Sequence, residues 1–148
     1  GVVKIVLKQA LPILNNEIKR TLDGLCDFDV VLDIDDKNDV CINLVCDGVE
    51  MPIEKGASGF EATFGGIAVR NALATISSLS RPNYLTLDEV DSTINPENMD
   101  NLYELYNRIL TNYDFIFHIV HTDNEDVISK HNQVVTVLKQ NHISKIDF

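Results

Sequence analysis

A chain of 148 residues with 45% hydrophobic content is long enough to bury a core of its own and too apolar to read as disordered, so one compact domain is expected. The formal net charge of −11, from 12 basic and 23 acidic residues, opposes unspecific attraction to nucleic acid or to an anionic membrane. Eight carboxylates lie between Asp27 and Glu50 against one lysine, Lys37, so any DNA-contacting surface is expected elsewhere or on another chain. Cys26, Cys41 and Cys46 form an odd set without metal-ligand spacing, and there is no signal-peptide pattern and no long apolar run. These features point to a reduced, cytoplasmic protein without membrane association. A start at Gly1 rather than Met suggests an excised fragment or the remnant of a tag.

Residues 2 to 25 read as a helix, with Leu7, Leu11, Leu14, Ile18, Leu22 and Leu25 on one stripe. The spacing suits the end of a coiled coil entering a domain, and an ordinary amphipathic helix fits equally well over so few turns. Pro12 predicts a kink or a start near its position, and Gly24 a stop. The alternating runs 28–34 and 40–46, separated by Asp35-Asp36-Lys37-Asn38-Asp39, predict a β-hairpin. A calcium loop on Asp33, Asp35 and Asp39 is disfavoured, because Asn38 stands where the sharp turn needs Gly and Leu44 where the bidentate Glu belongs. Cys41 and Cys46, an odd number of residues apart, point to opposite faces of their strand and read as packing residues.

The stretch Lys55-Gly56-Ala57-Ser58-Gly59-Phe60-Glu61 predicts a small-residue loop before a helix from Ala62 to Leu79, whose apolar face holds Phe60, Phe64, Ile67, Ala68, Ala72 and Ile76. A Ser-Gly loop at a helix N-terminus offers free N–H groups to an anion, phosphate above all; taken alone it reads more simply as an N-cap by Ser58. A serine-hydrolase elbow is set aside, since Phe60 replaces its last glycine. Arg81-Pro82-Asn83 is a turn. Tyr84 to Glu89 follows as a buried strand ending in two adjacent carboxylates, Asp88 and Glu89, at the edge where open α/β sheets hold ligands.

A loop over Val90 to Ile94 leads to Asn95-Pro96-Glu97, with Asn as N-cap and Pro at the first helical position, and the helix is expected to reach Leu110 with Leu102, Leu105, Ile109 and Leu110 buried. Tyr113 to Val120 is a second apolar strand, followed by His121-Thr122-Asp123 and a short helix from Glu125 to about Lys130. Gln133 to Lys139 and Ile143 to Phe148 close the chain as strands. This alternation predicts a parallel, doubly wound sheet. A metal site on His118, His121 and Asp123 is a rival use of the histidines, disfavoured because positions 118 and 121 face opposite sides of a strand.

Four features stand in one order: Ser58-Gly59-Phe60-Glu61 opening a helix, a strand ending in Asp88-Glu89, the loop Asp91-Ser92-Thr93-Ile94-Asn95, and His121 after the next strand. Together they resemble the C-terminal lobe of an ATP-binding-cassette (ABC) ATPase of the SMC, RecF and SbcC type, over Lys55 to Lys130. Ala57-Ser58-Gly59-Phe60-Glu61 with Gly66-Ile67-Ala68-Val69-Arg70-Asn71-Ala72-Leu73 looks most like the SbcC-like subunits of bacteria and phages, which act in DNA double-strand-break repair or recombination. The resemblance implies an α/β fold: the C-terminal half of a P-loop NTPase head, mostly parallel sheet with flanking helices, plus the hairpin and an N-terminal helix over 1–25 entering from a coiled coil. Residues 26–148 would then be the lobe itself.

It further implies roles. Asp88 resembles the Walker B aspartate that holds Mg²⁺, and Glu89 the base that orients the attacking water. His121 looks like the switch histidine at the γ-phosphate. Ser58, Gly59, Phe60 and Glu61 resemble the signature loop, which binds ATP held by the opposing subunit. In-line phosphoryl transfer needs such a cation and an oriented nucleophile. Asn95 departs from the family's usual Asp, Ala62 from a frequent Lys, and Thr86 from the usual apolar residue. Arg70 reads as a relay to the coiled coil or as a surface arginine. None of the seven glycines begins Gly-x-x-x-x-Gly-Lys-Ser/Thr, so the phosphate cradle is expected on an N-terminal lobe, and the chain alone should hydrolyse no ATP. The partners implied are that lobe, a second copy when ATP is bound, an SbcD-like nuclease, and DNA through the assembled complex. A non-catalytic interaction module of the same fold is the alternative; a membrane-transporter cassette fits less well.

Overall fold

The apolar stripe at the start of the chain forms α1 (Val2–Leu22) in the computed structural model, which describes residues 2–80, 82–121, 125–140 and 143–147. Leu11, Leu14, Ile18 and Leu22 are buried, as is Leu25 just beyond the helix, whereas Ile5, Val6 and Ile13 are exposed. The C-terminal half of α1 is therefore part of the domain core. The helix runs through Pro12, whose position on the exposed side leaves the lost hydrogen bond at the solvent face. It stops at Leu22 rather than Leu25, with Gly24 in the left-handed region at φ 70°.

The hairpin forms over the expected residues, β1 (Phe28–Ile34) antiparallel to β2 (Val40–Cys46) in a register running from Phe28↔Cys46 to Ile34↔Val40. Its acidic tip is a turn in which Asp35 Oδ1 accepts from the Lys37 and Asp39 amides at 2.9 and 2.8 Å. A third strand, β3 (Val49–Pro52), was not expected from the sequence. Asp47 (φ 50°) and Gly48 (φ 77°) supply the two-residue turn with both φ positive that a tight hairpin favours. After the single turn α2 (Ile53–Gly56) comes α3 (Gly59–Ile76), which starts three residues before the expected Ala62 and ends before Leu79. Gly65 allows α3 to lie on the hairpin: a Cβ there would sit 3.0 Å from Val30 Cγ2 and 3.1 Å from Ile53 Cδ1.

The second half alternates as expected, with shorter elements: β4 (Tyr84–Asp88), a 3-10 turn (Val90–Thr93) where a loop was expected, a second 3-10 turn (Pro96–Asn98), α4 (Met99–Ile109), β5 (Phe115–Ile119), α5 (Glu125–Ser129), β6 (Thr136–Gln140) and β7 (Ile143–Asp147). Leu102, Leu105 and Ile109 are fully buried, but Leu110 lies beyond the end of α4 and is exposed, a correction to the expected core. Arg81, Asp123 and Phe148, which belonged to an expected turn, metal group and strand, lie outside the described residues.

The expectation of a mostly parallel, doubly wound sheet is corrected. Among the described residues three small sheets form: antiparallel β1-β2-β3, parallel β4-β5, and antiparallel β6-β7. The α4 crossover makes β4 and β5 parallel, but β6 and β7 pair with each other instead of joining them. The open face of the parallel pair carries Tyr84, Phe115, Phe117 and Ile119 together with Thr86 and Asp88, whereas Leu85 and Leu87 on the other side of β4 are buried. Parallel strands are ordinarily covered on both faces, so half of this unit's burial is unmet within the described residues.

Helices α1, α3 and α4 are joined by a polar link that is buried at Asn71 and Thr21. Asn71 on α3 donates to Thr21 Oγ1 at 3.2 Å and accepts from Asn112 Nδ2 at 2.9 Å, and Arg108 donates to the carbonyls of Thr21 and Asp23. Among the described residues no helix is long and apolar enough to cross a membrane.

Candidate functional site

The acid pair sits at the C-terminal end of β4. Asp88 is exposed, on the side of the strand opposite buried Leu87. The Glu89 amide donates to the Ile119 carbonyl at 2.9 Å and extends the parallel ladder by one rung. The chain then turns sharply, with Glu89 itself at φ 51°, ψ 26°. A non-glycine residue in this left-handed region is strained by about 1–3 kcal/mol. The turn that follows holds it there: the Ser92 amide and hydroxyl both donate to the Glu89 carbonyl, at 3.1 and 2.7 Å.

His121, two residues past β5, comes to the same place. Its Nε2 lies 3.0 Å from Glu89 Oε1, both side chains being largely exposed. Thus two residues 32 positions apart in the chain, read from the sequence as base and switch, are neighbours.

The Ser-Gly loop approaches the same turn from α3. Gly59 packs against Thr93 so closely that a Cβ would stand 3.0 Å from Thr93 Cβ and 3.4 Å from its carbonyl oxygen. Because the Thr93 hydroxyl donates to the Val90 carbonyl, it accepts from Thr63 across the 2.8 Å contact between them. Ser58 forms a full capping box: its Oγ accepts from the Glu61 amide at 3.3 Å, and Glu61 Oε2 accepts from the Ser58 amide at 2.6 Å. The Ser58 N–H holds the Glu61 carboxyl below its ordinary range. Cys46 donates to Glu61 Oε1 at 3.7 Å; desolvation, then the Glu61 charge, push the thiol up. Phe60 is wedged between Phe28 (5.8 Å between ring centroids) and Phe64 (4.4 Å), so the loop is braced from behind. The Gly59 and Phe60 amides, in the first turn, lack intrahelical acceptors.

Arg70 is exposed, and Asn95 makes no side-chain cap. Cys26 packs against the core, and burial, then Asp27, push its thiol up to about 12. A cleft of about 350 Å³ beside Phe60, lined also by Gly24, Leu25, Cys26, Asp27, Asn98 and Asn101, includes none of the other candidate site residues.

His118, weighed from the sequence only as part of a disfavoured metal site, lies close by. His118 shares the inward parity of β5 with Ile116, its side chain is 1% exposed, and its Nε2 faces Asp91 Oδ1 at 3.4 Å. That parity, opposite to Phe115, Phe117 and Ile119, was the available signal. His118 and His121 thus face different partners. Among the described residues no group of three or more His, Cys, Asp or Glu is arranged to hold a metal. A single hard oxygen ligand such as Asp88 does suit Mg²⁺, which binds through one or two carboxylates, water and substrate phosphates rather than in an all-protein cage.

No family model matches the chain. It is 27% identical over 156 residues to an uncharacterized protein of Acanthamoeba polyphaga mimivirus, covering 95% of this chain and 11% of that protein, so it spans about a tenth of that relative's length. Its fold is that of SMC head domains. A chain from the structural biochemistry of ATP-driven dimerization and DNA-stimulated activation of SMC ATPases matches 97% of it and is itself 88% covered, at TM-score 0.74 and 14% identity. The Smc head domain with an extended coiled coil, bound to the C-terminal domain of ScpA, from Pyrococcus furiosus, matches 97% at TM-score 0.73 and 14% identity, with 36% of that chain covered. The SMC head domain from Thermotoga maritima matches 97% at TM-score 0.61 and 20% identity, with 50% covered.

Proposed function

We propose that this chain is the C-terminal lobe of an SMC-type ATPase head, with motifs nearest to the SbcC-like subunits of DNA double-strand-break repair and recombination. The observation that carries the reading is the meeting of Glu89 and His121 at 3.0 Å at the end of a parallel pair, beside a signature-like loop packed on the same turn, in a chain with the SMC head fold. Fold alone would not assign an activity. In this reading Asp88 holds Mg²⁺, which supplies charge to the phosphate oxygens when bound. Glu89 orients the water and accepts its proton. His121 exchanges its contact with Glu89 for a γ-phosphate oxygen. Ser58 and Gly59 present a hydroxyl and an amide to ATP held by a second copy, while Phe60 and Glu61 set the loop's shape.

The phosphate cradle comes from an N-terminal lobe, for which the open Tyr84, Phe115, Phe117 and Ile119 face is the docking surface. Residues 1–25 lead in from the coiled coil and 26–148 form the lobe. Relatives of this fold solved with ScpA support a partner subunit on the head; for this chain we assign that place to an SbcD-like nuclease, with DNA engaged through the assembly. The missing cradle also favours a second reading, an interaction module that keeps the fold without turnover.

Replacing Glu89 by Gln in the complete head separates them. The ATPase reading expects hydrolysis to fall by about 10²-fold or more, ATP binding to persist and the dimer to accumulate. Unchanged turnover refutes the assignment of Glu89, and no turnover in the parent protein favours the interaction module.

A further inference from the structure

His118 is buried beside the site, yet the proposed chemistry does not use it. Its ring packs edge-on against Tyr106 at 5.4 Å and beside His131 at 5.2 Å. Its Nδ1 lies 3.0 Å from His131 Nε2, and His131 Nδ1 lies 2.9 Å from the Val127 carbonyl. A carbonyl only accepts, so His131 Nδ1 carries a proton. Three links stand in series: Val127 to His131, His131 to His118, and His118 to Asp91. Two neutral rings hold two protons, which fill the first two links and leave His118 Nε2 as a bare lone pair facing a carboxylate. Among the described residues that nitrogen has no hydrogen-bond partner. One added proton on the pair closes the third link.

Asp91 belongs to the turn that holds Glu89 in its left-handed conformation. Its carbonyl accepts from the Ile94 amide at 3.0 Å, next to the Ser92-to-Glu89 bond and the Thr93 contact with Gly59. We infer that His118, backed by His131, is a positioning residue: on taking up one proton the pair grips Asp91 and tightens the turn on which Glu89 and the signature-like loop both rest. Its effect on turnover rests on the ATPase reading; the grip itself does not.

Among the described residues the groups facing His118 are Asp91 from the turn, His131 from the segment after α5 and Tyr106 from α4; Tyr103 of α4 packs on His131, burial pushes both phenols up, and Lys130 is paired with Asp100 at 2.7 Å. Its register partner on β4 is the apolar Leu87. Burial lowers the His118 pKa and Asp91 opposes that, so the proton is taken up below the ordinary value of 6.5 and the grip is lost as pH rises through the lowered value.

Amide hydrogen exchange of the 148-residue chain, corrected for intrinsic rates, tests the grip above and below the ordinary histidine range. Protection at Ser92 and Ile94 should rise about tenfold on acidification, the scale of one charge-assisted hydrogen bond, while α1 amides stay level. His118→Phe should give low protection at both pH values. Asp91→Asn supplies the missing proton from its own amide and should give high protection at both, a result that stands if the phenylalanine variant does not fold. A pH-independent parent, or an Asp91→Asn variant that responds like the parent, overturns the inference. In the complete head, kcat should show an acid-side limb that Asp91→Asn removes with KM for ATP unchanged. A head that hydrolyses no ATP sinks the ATPase reading and leaves the exchange result to decide the grip.

Discussion

Glu89 occupies the left-handed region at φ 51°, ψ 26°, and the strain is separable from its chemistry by comparing two variants that both lack the carboxylate. Glu89→Ala keeps a Cβ in that conformation, which costs about 1–2 kcal/mol; Glu89→Gly removes it. Glycine in turn gives up about 0.5–1 kcal/mol more backbone freedom on folding. Both variants lose the contact with His121, so it cancels between them. The balance favours Gly by about 0.5–1 kcal/mol, which for a chain near this length corresponds to a melting temperature roughly 1–4 °C higher. Thermal and urea unfolding of the two variants at one pH measure the difference. An alanine variant equal to or more stable than the glycine variant refutes the claim that the turn stores strain at Glu89.

Asn71→Ala removes both side-chain bonds that join α3 to Thr21 and Asn112 and should destabilise the chain by about 1–3 kcal/mol, read from urea midpoints at constant slope. Because the folded pKa of Glu61 is depressed, its contribution is present above the ordinary glutamate range and is lost as pH falls through the folded value. Glu61→Gln should therefore flatten that acid limb of stability, while Ser58→Ala should cost about 0.5–2 kcal/mol near neutrality; an unaltered acid limb refutes the capping account. Phe117→Glu loses edge-on contacts with Tyr84 and Phe115 and should cost about 1–2 kcal/mol, yet leave the chain folded and abolish co-purification with the proposed N-terminal lobe. Retained co-purification moves the docking surface elsewhere.

Local patterns were legible where one periodicity ran long enough to bury a face. The α1 stripe, the hairpin and the Tyr84 to Asp88 strand all follow from residue spacing. Strand β3 escaped because four residues show little alternation, although Asp47-Gly48 marks its turn. The N-cap at Ser58 was legible and forms, but the start of α3 was set at Ala62 because small residues read as loop, when Ser58 and Glu61 close a capping box that begins the helix directly. The expected parallel sheet failed for a different reason. Alternation of strand and helix sets the direction of neighbouring strands, but which strands pair depends on surfaces far apart in sequence. The Asn71 link to Thr21 spans 50 positions and His118 meets Asp91 across 27, so neither leaves a local signature. The residues of the proposed site were named from their order in the sequence, whereas the left-handed turn at Glu89 left no mark there.

One contact between α1 and β1 bears on how the chain behaves among its own copies. β1 is one of the two edge strands of its sheet, and Asn15 on α1 takes both backbone groups of Leu32, donating to its carbonyl at 3.0 Å and accepting from its amide at 2.8 Å. A free strand margin invites another chain to pair along it. Here an amide side chain already occupies the rung in the middle of that margin. An incoming strand would first have to evict Asn15 from a half-buried site, so this helix shields the β1 edge from strand addition as well as covering the core.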